Sequence, residues 1–213
     1  MNPRSDTPQA VPAARRPGRP AGRRTGDPQS REKILAAAKR QFADRAYLGT
    51  TIRGVAAEAG LDPAVVHHYF GTKRALFTAC IELPTEFLTA LSTLVGTQDA
   101  DLGERIAKLY LGLWDNPATG PQLRAMVRSA MSDDEAAEVL REFLTATVLR
   151  PVAAAIGRPD APLRLALAAS QLVGLAAARN LLGIAPLAEA EVDDLAAWVA
   201  PAIQRYLTGP APK

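Results

Sequence analysis

The sequence holds one cysteine, Cys80, and two histidines, adjacent at His67 and His68. A single cysteine excludes an intrachain disulfide, so a small disulfide-built secreted scaffold is not expected. Aromatic residues make up only 5% of the 213 residues, and nowhere do Val, Ile and aromatics alternate with a period of two. No β-sheet is therefore expected. Long apolar runs are also scarce. The longest uncharged run, between Arg164 and Arg179, has 14 residues, short of the ~20 that span a bilayer. No apolar segment follows Met1 in the manner of a secretory signal. These absences predict a cytoplasmic protein with no membrane association. There is no glycine-rich phosphate loop, and beyond Cys80 neither histidine nor cysteine occurs. No catalytic constellation, cofactor or metal is expected, and the acids Asp133, Asp134 and Glu135 fit a helix N-terminus.

What is present is helix-forming and unevenly charged. Apolar residues are 48% of the chain, enough for a real core. Residues 1–78 carry 14 Lys and Arg against 6 Asp and Glu, a net +8; residues 79–213 carry 11 against 16, a net −5. A basic front on an acidic body suggests a polyanionic partner for the front alone.

The punctuation is helical throughout. Residues 1–26, rich in Pro, Arg, Gly and Ala, have no hydrophobic period and are predicted to form a disordered basic arm. Asp27-Pro28 starts a first helix that carries Ile34, Leu35, Ala38 and Phe42 and ends near Tyr47-Leu48-Gly49. Thr50 caps a second, with Ile52, Val55, Ala56 and Ala59 as its buried stripe, and Gly60 stops it. Asp62-Pro63 starts a third, to about Phe70, and Thr72 caps a fourth, broken near Pro84. Further helices are expected near 85–95, 101–115, 121–131, 134–156, 162–182 and 192–207, with kinks at Pro151 and Pro201.

Two short helices joined at Gly60 form a helix-turn-helix candidate. Ala56 permits a steep crossing, and glycine supplies the left-handed turn residue. Val55, Ala59, Leu61, Val66 and Tyr69 lock the pair into a core. With Val66 inward, Ala64 and His68 point away and Val65 and His67 flank them. The outward face is Pro63, Ala64, Val65, His67 and His68, small enough at its N-terminal end to enter a major groove. Adjacent helical histidines diverge by ~100° and cannot chelate one metal from a regular helix. A DNA contact explains them better than a metal site.

TTIRGVAAEAGLDPAVVHHYFGTKRALF, Thr50 to Phe77, resembles the DNA-binding segment of TetR-family transcriptional regulators. The double threonine, the A-x-x-x-G turn, the aromatic end of the third helix and the G-T-K before Leu76 follow in order. The resemblance implies an all-α fold of about nine helices. Residues 27–80 would form the three-helix helix-turn-helix domain, and 81–213 a larger helical ligand-binding and dimerisation domain. It implies phosphate contacts at Thr51 and Lys73, a base contact at Arg53, and recognition-helix positions at Pro63, Ala64, Val65, His67, His68 and Tyr69. Where many members have tyrosine, this chain has His67, a shorter donor.

The arm adds a second signal. RRPGRPAGRR, Arg15 to Arg24, is similar to AT-hook segments, with Arg19, Arg23 and Arg24 suited to a narrow minor groove. In the body, a pocket for a small apolar effector is expected among Phe87, Leu91, Tyr110, Leu113, Trp114, Met126 and Phe143. The 162–182 helix is apolar nearly all round, which implies cover on more than one side. Within one chain it could be a central core helix; the resemblance implies instead that with the last helix it forms the homodimer interface, through Leu165, Leu172, Gly174, Leu175, Trp198, Val199 and Ile203. The expected function is a repressor that binds a palindromic operator as a homodimer and is released by the effector. A sequence-tolerant architectural DNA binder is the alternative, distinguished by equal affinity for random DNA. A helical enzyme or carrier with an incidental basic front would lack salt-dependent DNA binding.

Overall fold

The computed structural model describes residues 28–97 and 99–211. Arg19, Arg23, Arg24 and the Asp27 cap lie outside the described residues. Within them the chain is helical, without a strand: α1 (Pro28–Gly49), α2 (Ile52–Ala59), α3 (Pro63–Phe70), α4 (Lys73–Cys80), α5 (Thr85–Thr97), α6 (Leu102–Asp115), α7 (Gly120–Ser132), α8 (Asp134–Leu144), α9 (Arg150–Ile156), α10 (Ala161–Asn180), the short α11 (Ala185–Ala188) and α12 (Val192–Thr208). The all-α expectation holds, with α1–α4 as an N-terminal head and α5–α12 as a larger helical body.

The first helix does not run smoothly to Gly49. It breaks at Ala46, whose φ of 54° and ψ of −171° belong to a region that glycine tolerates and a Cβ strains. Two bonds hold the break: Thr50 Oγ1 donates to Ala46 O at 2.8 Å, and the Tyr47 N–H donates to Ser129 Oγ at 3.0 Å. Ala46→Gly is expected to stabilise the protein by about 1 kcal/mol, seen as a Tm ~2–4 °C higher in a thermal melt. An unchanged or lower Tm would mean that the backbone there is relaxed.

Pro151 acts as a proline inside a helix must, but by register rather than by an end. Between α8 and α9, Thr145–Leu149 is π-helical, and the Arg150 N–H reaches back to Thr145 O. Widening the turn just ahead of the proline accommodates the ring and its missing donor. Pro201 sits inside α12 without ending it.

The core is continuous from head to body. Ile34, Phe42, Val55, Val66, Leu76 and Phe77 of the head join Phe87, Leu102, Trp114, Val139 and Ile203 in one buried cluster. In the body, α6 lies tightly on α12. A Cβ on Gly103 would stand 2.4 Å from Ala200 O, so only glycine allows that approach. Arg164 is a buried cation, 6% exposed. It donates to the carbonyls of Tyr206 and Gly209 at 2.8 and 2.9 Å and to Asp160 at 2.6 Å. One buried guanidinium thus closes the C-terminus of α12.

By length and composition α10 could cross a bilayer, with 20 residues and a mean hydropathy of 1.4, longer than its 14-residue uncharged run suggests. Both charged ends are engaged within the protein. Arg164 holds the end of α12, and Arg179 donates to Asp115 of α6 at 2.9 Å.

Candidate nucleic-acid interface

The head builds its outward face from caps. Thr51, not Thr50, is the N-cap of α2, and its Oγ1 accepts from the Gly54 N–H at 3.0 Å. Thr50 is instead buried and tied to the break at Ala46. A hydroxyl that accepts at a cap keeps its own proton, so exposed Thr51 retains a donor for a phosphate. Gly60 takes the left-handed conformation at φ 67°, and the Leu61 N–H returns to Ala56 O at 2.9 Å. Asp62 Oδ1 then accepts from the Ala64 N–H at 2.8 Å, ahead of Pro63 at the start of α3. The turn is thereby fixed on both sides by backbone and cap bonds.

Val66 is fully buried, while Ala64, His67 and His68 are exposed. Pro63, Val65 and Tyr69 are half-buried, and Val65 and Tyr69 pack against the core. Arg53 stands exposed on the first turn of α2. The orientation of α2 on α1 is set by Glu58, which accepts from Arg40 at 2.6 Å and Gln41 at 2.8 Å. Those bonds, Arg40 first, hold its carboxyl below the usual range. The arrangement offers a small, uncharged helix face with a donor-bearing rim, of the size that fits a major groove.

Lys73 departs from expectation. Its Nζ lies 4.1 Å over the Tyr47 ring, a cation–π contact. Burial draws its pKa down, against the pull of Asp133, the N-cap of α8, and Glu135 in its first turn. In this conformation the ammonium is turned to the junction of head and body, not presented as a free phosphate anchor. Its neighbours complete the junction. Tyr47 donates to Glu135 at 2.6 Å, and burial with that bond pushes the phenol's pKa up. Arg74 donates to Glu138 at 2.9 Å and Glu142 at 3.0 Å. The sequence contains these residues but no spacing that links Tyr47 to an acid in α8.

A solved TetR-family regulator from Streptomyces coelicolor is 37% identical, with 88% of this chain and 99% of that chain covered at a TM-score of 0.65. The family model for the C-terminal domain of tetracyclin repressor-like proteins matches residues 100–207, and that for tetR-family bacterial regulatory proteins matches 34–80. The chain belongs to the TetR family. Among curated relatives, the HTH-type transcriptional regulator BetI of Brucella anthropi is 36% identical over 84 residues, 39% of this chain and 43% of that protein. The dual regulator CecR of Shigella flexneri is 29% identical over 59% of this chain and 54% of its own length. The chain thus spans about half the length of these curated relatives. The TetR fold also covers the multidrug binding protein EbrR, solved with imidazole, at 20% identity and a TM-score of 0.61 over 88% of this chain and 95% of that one.

In the TetR-type body, the residues expected around an effector are packed. Phe87, Leu91, Leu113, Trp114 and Met126 are buried, and Tyr110 and Phe143 half-buried. Met126 borders a cavity of 20 Å³ with Phe42, Phe77 and Cys80, room for about one water rather than an effector. Two polar groups stand out in this region. The Trp114 Nε1 is buried and makes no hydrogen bond of regular geometry, and burial pushes the neighbouring Tyr110 phenol up to about 12 against a weaker, opposing interaction with Trp114. Burial likewise pushes the Cys80 thiol up to about 12, which leaves it protonated and unreactive near neutrality. Among the described residues no three His, Cys, Asp or Glu gather as metal ligands.

The expected dimer residues separate into two sets. Leu165, Leu172 and Ile203 are buried inside the protomer, so they belong to its own core. Leu175 and Val199 are half-buried, and Gly174 and Trp198 are exposed. Leu165 and Gly174 are nine residues apart, about half a turn at ~100° per residue, and cannot share a face. The outward stripe of α10 is instead Leu163, Leu167 and Gly174; on α12, Trp198 is 85% exposed.

Proposed function

We propose that this protein is a DNA-binding transcriptional repressor, working in the cytoplasm as a homodimer on a palindromic operator and released by a small apolar effector. The observation that carries the reading is the α2–α3 unit. Its turn is fixed by Gly60 and Asp62, its inner side is locked by Val66, and its outer side is exposed and free of bulky apolar groups. A second copy explains the apolar stripe of Leu163, Leu167 and Trp198, which would otherwise face water. Two heads on a two-fold axis then read two half-sites. The effector would enter the body near Trp114 and Tyr110, a buried indole N–H and a half-buried phenol that could bind a ligand with hydrogen-bonding groups. It would favour a body conformation in which the heads are wrongly spaced. The junction at Tyr47, Lys73, Arg74 and Glu135 is the route by which the body can turn the head.

Arg53→Ala and His68→Ala are expected to change base preference as well as affinity, each by ~1–3 kcal/mol of discrimination at its contacted pair. The readout is the consensus recovered when each variant selects duplexes from a random pool. Pro63, Ala64 and Val65 lack hydrogen-bonding side chains and would contribute shape or thymine-methyl contacts. A consensus unchanged in both variants would move specificity to the arm or to DNA deformability.

A further inference from the structure

His67 lies on the C-terminal half of α3, exposed, and its Nδ1 is 2.8 Å from the Gly71 carbonyl oxygen. A carbonyl oxygen only accepts, so Nδ1 carries a proton in either charge state of the ring. The bond is reciprocated: the Gly71 N–H donates to His67 O at 2.8 Å, with Gly71 at φ 70°. The imidazole is therefore held in one orientation, and its neutral form has a bare lone pair on Nε2. A phosphate oxygen is also only an acceptor. Against it, neutral His67 in this pose opposes lone pair to lone pair; the imidazolium makes a charge-assisted hydrogen bond.

Resting on the reading of α3 as the recognition helix, we infer that His67 contacts a DNA phosphate as imidazolium, so that each head takes up a proton when it binds DNA. The surroundings leave that charge for the phosphate. On α1, Arg31 lies 5.6 Å over the Phe70 ring and Arg40 is bound to Glu58; Glu32 and Asp44 form no ion pair with His67. On α2, Glu58 is occupied by Arg40 and Gln41, and Arg53 is exposed. On α4, Lys73 sits over Tyr47, and Arg74 is held by Glu138 and Glu142. On α3 itself, Asp62 caps the opposite end, and the His68 ring packs edge-on to Tyr69 at 5.5 Å.

The sign follows from the charge. Binding strengthens as pH falls through the range where histidine gains its proton, and weakens as pH rises through it. The test uses the full chain and a random-sequence duplex of about 30 base pairs at fixed ionic strength, between about pH 6 and 8.5, since a phosphate contact needs no particular sequence. Wild-type affinity is expected to fall by up to about tenfold per pH unit per head beyond the fall seen for His67→Gln. His67→Tyr, whose phenol donates without titrating in this range, should restore affinity but keep the shallow slope of His67→Gln. His68→Gln should keep the wild-type slope. Equal slopes in wild type and His67→Gln overturn the inference, as does a loss of the excess slope in His68→Gln alone. A wild-type protein that binds no duplex at any pH and low salt overturns the regulator reading instead.

Discussion

Gly174→Arg is expected to convert the dimer to a monomer and to weaken operator binding by about 10²-fold or more. A Cβ at Gly174 meets nothing within 4 Å, so within one protomer the arginine has open space. It also replaces the poorest non-proline helix former in mid-helix. The protomer should therefore fold as well as before, or better. In the proposed dimer, the same side chain would place an unpaired charge on the apolar stripe of Leu163 and Leu167, at a cost of several kcal/mol. One head alone makes half of the DNA contacts and loses the effective concentration of its twin. Trp198→Glu should act in the same way from α12. Light scattering gives the mass, and titration of a full against a half operator gives the lost cooperation. A Gly174→Arg protein that stays dimeric would place the interface elsewhere.

Phe77→Ala should cost about 3–5 kcal/mol and unfold the head with part of the body. Phe77 is 1% exposed, with ring centroids 4.8 Å from Phe42 and 5.0 Å from Tyr47. It also borders the 20 Å³ cavity shared with Met126 and Cys80, so truncation would open a larger void across the junction. Both transfer and cavity terms oppose folding. Phe77→Leu, closer in volume, should lose less. The measurement is the urea midpoint followed by circular dichroism. A loss under about 1 kcal/mol would show that head and body do not depend on a common core.

Local signals were legible in the sequence, and long-range ones were not. Gly60, Asp62 and Thr72 are short-range devices, and each stands where its cap or turn requires. The cap of α2 fell one residue late because two threonines compete for it. Thr51 wins, since Thr50 is drawn inward to Ala46 O. Nothing in the alanine at position 46 announces a positive φ; that follows from bonds to Ser129, far along the chain. Lys73 sits beside a helix N-terminus, which favours a phosphate contact, yet its ammonium lies over the Tyr47 ring with Asp133 and Glu135 as the acids that act on it. The proposed dimer face was blurred because α10 is apolar on opposite sides, one side for its own core and the other exposed. Only burial separates Leu165 and Leu172 from Leu163 and Gly174.

The central claim is that two copies of this chain read two copies of one short sequence. Selection of duplexes from a random pool by the full-length protein tests it most directly. The expected outcome is an inverted repeat, its half-sites spaced by about one or more helical turns, bound at least ~10³-fold more tightly than unselected duplex at the same salt. Enrichment of no sequence, or of a single half-site without a symmetric mate, would contradict it.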